Sequence, residues 1–316
     1  MNPDSYPRSG PDAAGHPARL AVGVIGAGRA GTALGVALAR AGHAVVAASA
    51  VSEASVRRAR ASFPDAVIAE PGQLLRLVDL ALLTVPDDVL PGLVGGLAAT
   101  EAPIAGRMIV HASGRYGIAV LEPATRLGGL PLALHPVMTF TGRADDTDRL
   151  RGTSFGVTAP AVLRTAAEAL VIEMGGEPVF IAEEHRDLYH AALAGAANHL
   201  ITLVAEAADL LRAAGVADPA RLMGPLLSAS LDNALRFGDA GLTGPVARGD
   251  ADTVAAHVNA LAATGASRAA VAAYVAMARL TADRALAAGL LKPADAERLL
   301  DVLGGPGLPG TLGGPR

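Results

Sequence analysis

The stretch AVGVIGAGRAGTALGVALARAG, residues 21–42, decides the fold. It begins as a short apolar run suited to a buried strand and continues as Ala, Leu and Val at helical spacing. Between the two, Gly26, Gly28 and Gly31 form the pattern GAGRAG. A fingerprint in this register lets the chain turn tightly, lets backbone approach a pyrophosphate and lets the helix pack closely, while the helix N-terminus faces the anion. Gly26, Ala27, Gly28, Arg29, Ala30 and Gly31 are therefore read as a dinucleotide-binding loop, and Gly35 extends the close-packing edge.

Outward from this loop, the apolar runs LAVGVIG, AVVAAS, AVIA, LALLTV, MIVHAS, LPLALH, SFGVT and PVFI alternate with helical patterns as far as Ile181. A parallel connection needs a crossover of a dozen residues or more, so the alternation predicts a doubly wound, mostly parallel α/β sheet over residues 19–182. Beyond Glu183 only helical spacing is found, in stretches 183–214, 217–237, 251–262, 267–288 and 293–303, which predicts an all-α domain over 183–303. Residues 1–18 and 304–316 have the Gly and Pro density of disordered tails.

Composition narrows the function. An apolar share of 51% with 18% charged residues excludes a disordered chain, and 3% aromatics imply a core of Ala, Leu and Val. A net charge of -4, with Lys292 as the only lysine, leaves no basic tract for nucleic acid. The absence of cysteine removes thiol nucleophiles, disulfides and cysteine metal sites. Uninterrupted apolar runs stay short of the roughly 18–20 residues of a membrane span, and residues 1–18 carry no apolar signal region. A soluble cytoplasmic protein, with neither membrane nor metal, is expected.

The second strand ends at Ser49 without the acid that would bind a ribose 2′-hydroxyl. Ser49 and Ser52, with Arg57 and Arg58 a turn or two on, would admit a 2′-phosphate, so NADP is expected over NAD unless Glu53 bends back to the ribose. Ligands in such sheets lie beyond the carboxyl ends of strands. Thr84, Val85 and Pro86 would floor the cofactor there, while Asp87 either joins them or caps the next helix. His111 and His135 end two further runs as candidate proton donors, and Ser113 with the N–H of Gly114 suits a substrate carboxylate. In YHAALAGAANHL, His190, Ala194 and Asn198 follow one another by four. On a uniform α-helix they form one stripe, its polar ends ~12 Å apart, that serves helix packing or a substrate. Arg248 could clamp a carboxylate or pair with Asp250 or Asp252, and Asp250 reads as a helix cap.

The fingerprint, TVPD, HASG, ALHPVMTF, YHAALAGAANHL and LTGPVARGD occur in this order. Together they resemble the Rossmann-like oxidoreductases whose helical C-terminal domain was catalogued as a domain of unknown function, over residues 19 to 303. More distantly, the architecture is similar to the 6-phosphogluconate dehydrogenase-like superfamily, with its ketopantoate reductases, pyrroline-5-carboxylate reductases and prephenate dehydrogenases. The resemblance implies a homodimer formed through the helical domain. It also implies a catalytic lysine four residues before Asn198, where this chain has Ala194. His135-Pro136 looks like a prephenate dehydrogenase feature. The implied function is an NADPH-dependent reductase of a small 2-oxo acid, ketopantoate first. His190 would donate the proton, Asn198 orient the carbonyl, and Ser113 with Arg248 hold the carboxylate. The alternatives are an imine reductase of the pyrroline-5-carboxylate type, a prephenate-type dehydrogenase and a dinucleotide-binding sensor without turnover.

Overall fold

The computed structural model describes residues 19–100, 102–265 and 267–304, so the expected tails lie almost wholly outside the described residues. Each apolar run forms a strand: β1 (Ala21–Ile25), β2 (Ala44–Ser49), β3 (Val67–Ile68), β4 (Leu80–Leu83), β5 (Met108–His111), β6 (Leu130–Pro136), β7 (Ser154–Thr158) and β8 (Glu177–Phe180). They form one sheet in the order β3-β2-β1-β4-β5-β6-β7-β8. All neighbours are parallel except β6 and β7. The connection between those two carries short 3₁₀ turns but no crossover helix. Without one the chain doubles back, and Ala133 pairs with Thr158 and His135 with Gly156. Buried Asp146 braces this return, accepting from Thr141 Oγ1 at 2.9 Å and Gly142 N at 2.7 Å. Burial opposes its charge, but these bonds and Arg149 outweigh it and hold the carboxyl below its ordinary range.

Helices cover both faces of the sheet. Strand alternation sends Val22, Val24, Leu80, Leu82, Val110, Leu132 and Leu134 to one side. There they meet Leu34 and Leu38 of α1 (Arg29–Arg40) and Leu170 and Val171 of a later helix, Arg164–Glu173. Ile25, Ala81, Leu83 and Ile109 face the other side, against Leu74 and Leu75 and against Leu90, Val94 and Leu97 of Leu90–Ala99. In chain order the first-unit helices after α1 are α2 (Glu53–Ser62), α3 (Pro71–Leu74), α4 (Leu90–Ala99), α5 (Glu122–Thr125), α6 (Arg164–Glu173) and α7 (Arg186–Ala194).

The sequence placed the domain boundary at 182/183, whereas packing divides the chain after Ala196. In the second unit, α8 (Leu200–Ala213) and α9 (Pro219–Phe237) precede α10 (Ala251–Ala263), α11 (Arg268–Ala287) and α12 (Pro293–Leu303). The last three enclose Val254, Val258, Val275, Ala282 and Leu299. Asp250 caps α10, accepting from Thr253 N at 3.1 Å. By contrast α8 buries none of its residues, and Ile201 is 65% exposed and Leu235 of α9 79%.

A π-helical turn, Gly195–His199, joins α7 to α8 and corrects the uniform stripe of the sequence reading. Its i→i+5 bonding shifts the phase of every later residue, so Asn198 does not follow His190 at constant α-helical pitch. The helical run Glu183–Ala213 is 31 residues long and contains an 18-residue window of mean hydropathy 1.3, so by length and composition alone it could cross a membrane. His190, Asn198 and His199 interrupt its apolar stretches without lowering the average of that window far, which is why no unbroken apolar run marks it in the sequence.

Candidate active site

The three fingerprint glycines answer to different demands. Gly26 has φ +93°, and a Cβ there would come within 2.9 Å of the Thr84 backbone. A Cβ on Gly31 would stand 2.3 Å from Thr84 Oγ1, which itself donates to Gly26 O at 2.8 Å. The fold therefore accounts for both. Gly28, at φ -77° and ψ -161°, has a conformation open to any residue, and the nearest atom to an added Cβ is 3.8 Å away. Packing leaves that glycine unexplained, and in the fingerprint this position is the one at which bare backbone can approach a pyrophosphate. Gly28 is also the N-cap of α1 without a side-chain cap, and no acid occupies the first turn, so the positive end of the helix is not screened by its own side chains.

Ser49 supports this loop through its backbone, its carbonyl accepting from Gly26 N at 3.0 Å and Ala27 N at 3.1 Å. Ser52 caps α2 by accepting from Ser55 N. Arg57 pairs with Glu53 at 3.3 Å along the exposed helix face, while Arg58 reaches the fingerprint, donating to Ala27 O at 3.4 Å. Of the two α2 cations read from the sequence, it is thus Arg58 and not Arg57 that reaches the turn. Thr84 and Val85 close under Gly26, and Pro86 is exposed beside them. Val89, not Asp87, stands at the N-cap of α4.

Within β5, β6 and β7, alternation brings His111, Ala133, His135, Gly156 and Thr158 to one face, because their registers pair His111 with Ala133, Ala133 with Thr158 and His135 with Gly156. The small residues in this row admit α7. Arg186, only 2% exposed, lays its guanidinium across the strands. Its Nε donates to Thr158 Oγ1 at 2.7 Å, and one terminal nitrogen donates to Gly156 O at 3.0 Å and Ala133 O at 3.4 Å. Its other terminal nitrogen is buried without a partner. Tyr189 lies over Gly156, where a Cβ would sit 2.3 Å from the phenol oxygen, and its hydroxyl is 2.7 Å from His135 Nδ1. The Gly114 Cα packs between His135 and His190, since an added Cβ would be 2.8 Å from His135 Nε2 and 2.9 Å from His190 Cδ2.

The strand-end histidines differ in availability. His111 is fully buried and both its nitrogens are engaged, Nε2 with Gly117 O at 2.7 Å and Nδ1 with Ser113 N at 3.2 Å. It pegs the loop that carries Ser113 and Gly114, and this engagement removes it from the proton-donor candidates. Ser113 Oγ in turn accepts from Tyr116 N, which leaves its own O–H to donate. Burial lowers the His111 pKa to about 4, with Gly117 opposing and Arg186 adding to the shift. His135 is likewise lowered to about 4, by burial first, then by Arg186 and His190, against Asp87. Both rings are neutral near pH 7. The His190 side chain makes no hydrogen bond among the described residues, which leaves its ring nitrogens available.

Asn198 and Arg248 belong to the second unit. Asn198 sits in the π turn. Arg248 is exposed and donates to the Thr243 carbonyl within its own loop. Sequence inspection missed Arg186 and Tyr189. The signal for them was a basic residue and a tyrosine three apart on a helix start, opposite small residues at 133 and 156 whose pairing no linear pattern reveals.

A sheet of this order with a glycine fingerprint at its first turn defines a Rossmann-like protein. Residues 7–136 match the Rossmann-like domain family, and residues 153–281 match DUF2520, a domain of unknown function. The two matches follow one another along the chain, the Rossmann-like model through β6 and the DUF2520 model from β7 into α11. No curated protein matches it significantly. Among solved structures it is similar to BF3122 of Bacteroides fragilis, assigned as an NADP oxidoreductase, at 21% identity and TM-score 0.67, covering 84% of this chain and 98% of that one. The Streptomyces aurantiacus imine reductase shares 22% identity at TM-score 0.62, covering 89% and 99%. The Myxococcus stipitatus imine reductase, solved with NADP+, shares 17% at TM-score 0.63, covering 89% and 99%. At these identities the likeness establishes the fold.

Two outcomes follow from this geometry. Gly28→Val keeps the wild-type unfolding midpoint but loses dinucleotide binding by titration calorimetry, whereas Gly31→Val is destabilised because its side chain collides with Thr84. The second concerns pH. His111 and His135 have folded pKa values near 4, below the unfolded 6.5, so the unfolded state binds more protons between those values. Urea stability is therefore full above pH 6.5, falls as pH drops toward 4 and levels below it. A flat profile across that window contradicts the assignment.

Proposed function

We propose that the chain is an NADP(H)-dependent reductase of a small carbonyl or imine compound. The observation that carries this reading is the meeting of two features in one domain. A glycine whose open side only a ligand explains lies at the β1–α1 turn, and neutral His135 with available His190 lies at the strand ends over Gly114. The first-turn N–H groups of α1, Gly28 and Arg58 would hold the phosphates, and Thr84, Val85 and Pro86 would lie under the cofactor. Bound there, NADPH supplies hydride to an unsaturated carbon. His135 or His190 then provides the proton at the heteroatom, and Ser113 O–H with the Gly114 N–H orients the substrate.

For the substrate, a 2-oxo acid with ketopantoate as the first candidate is one reading. Reduction of an imine is the second, favoured by the imine reductases among the structural neighbours and by Ala194 at the expected lysine position, since a protonated imine needs no strong protein acid. Purified protein is expected to oxidise NADPH with ketopantoate or pyrroline-5-carboxylate, whereas a prephenate-type dehydrogenase would instead reduce NADP+ with prephenate, and Arg58→Ala is expected to weaken NADPH more than NADH. Dinucleotide binding without turnover on any of them would favour the sensor reading.

Exposed Leu200, Ile201, Leu203, Leu226 and Leu235 on α8 and α9 support a homodimer through the helical half. Light scattering is expected to return twice the chain mass at micromolar concentration, and Leu226→Glu with Leu235→Glu to return the monomer.

A further inference from the structure

His135 meets two different neighbours through its two nitrogens. Nδ1 is 2.7 Å from the Tyr189 hydroxyl, with the rings edge to face at 89°. Nε2 is the atom a side chain at Gly114 would strike first, so it faces the Gly114 backbone beside His190. The hydroxyl lies against Gly156, where a side chain would strike it, and among the described residues it has no hydrogen-bond acceptor besides Nδ1. With no other acceptor in reach the phenol donates its O–H to Nδ1, and a neutral imidazole that accepts at Nδ1 carries its proton on Nε2. Arg186 completes the arrangement, with its guanidinium carbon 5.5 Å from the Tyr189 ring centroid and its terminal nitrogen on the Gly156 carbonyl. This buried cation has no carboxylate within ion-pairing distance among the described residues.

We propose that Tyr189, backed by Arg186, is a positioning residue that fixes His135 as the Nε2–H tautomer and stands behind it as a second proton source. The inference rests on the reductase reading for its consequence, and on the hydrogen-bond geometry for its existence. In turnover the proton balance closes. Nε2–H gives its proton to the substrate heteroatom as hydride arrives at carbon, and the Tyr189 proton passes to Nδ1, so that the imidazole stays neutral. The negative charge rests on the phenol oxygen, where burial opposes it and the Arg186 guanidinium offsets that in part, until solvent restores the proton. A neutral imidazole acting alone would have to become an anion. The groups that face His135 are Tyr189, Arg186 and His190 from α7, His111 from β5 and Asp87 from the loop after β4. Only Tyr189 bonds to it directly.

The test is two-bond proton–nitrogen NMR on nitrogen-labelled protein, with His135 assigned by His135→Gln. The wild type is expected to show His135 neutral and protonated at Nε2 at pH 7. Tyr189→Phe is expected to shift its Nδ1 resonance and admit the other tautomer. Gly156→Ala displaces the phenol by an independent route and is expected to do the same, which covers the case of one variant failing to fold. A wild-type Nδ1–H tautomer, or an Nε2–H tautomer unchanged in both variants, overturns the proposal. On whichever substrate is reduced, Tyr189→Phe is expected to lower kcat about 10-fold or more with KM little changed, and to alter the pH profile. Arg186→Lys is expected to retain more activity than Arg186→Met. A kcat that falls in His135→Gln but not in Tyr189→Phe overturns the relay and leaves the reductase reading standing. Absence of turnover on all substrates overturns that reading instead, while the NMR result still decides the tautomer.

Discussion

The seating of the Arg186 guanidinium on the β6–β7 ladder organises the polar half of the Rossmann-like domain. Desolvating a cation costs several kcal/mol, and this one is offset by hydrogen bonds to Thr158, Gly156 and Ala133 rather than by a carboxylate. An oxygen set of that kind exists only because β7 runs antiparallel to β6, so that residues 133, 156 and 158 come side by side. Ala and Gly at two of those positions are what the helix requires above them. The leftover buried nitrogen of Arg186 is costly on the order of 1–3 kcal/mol, and such a residue belongs to a site rather than to the packing.

From that seat the rest of the polar cluster follows. Arg186 and burial together keep His111 and His135 neutral, and the same helix brings Tyr189 and His190 to opposite sides of the His135–Gly114 contact. Glu183, just before α7, accepts from Ile118 N at 2.7 Å and Ala119 N at 3.0 Å, tying the start of the helix to the loop after β5. The histidine loop, the antiparallel pair and α7 thus hold one another in place. This is also why packing assigns residues 183–196 to the sheet although their composition is that of the helical half.

The dinucleotide loop has a separate logic. Gly26 and Gly31 are demanded by Thr84, a residue of the neighbouring strand end, while Gly28 is demanded by nothing in the chain. A linear motif treats the three alike. Arg57 and Arg58 were likewise equivalent in the sequence, and the orientation of α2 separates them, one toward Glu53 and the other toward Ala27.

Every strand and the helical half were legible in the sequence, because burial of a parallel sheet writes itself as uninterrupted apolar runs and burial of a helix as 3.6-residue spacing. The fingerprint was legible for the same reason: it joins one such element to the next. Three features were decided only by tertiary structure. Strand direction at β6 and β7 depends on what the connection fails to form, the π turn at 195–199 on bonding that small residues permit but do not encode, and the His135–Tyr189–Arg186 group on pairing between residues 50 or so apart. Periodicity carries information about which face a residue takes within its own element. It carries none about which residue of another element will stand opposite, and it is there that the chemistry of this site is made.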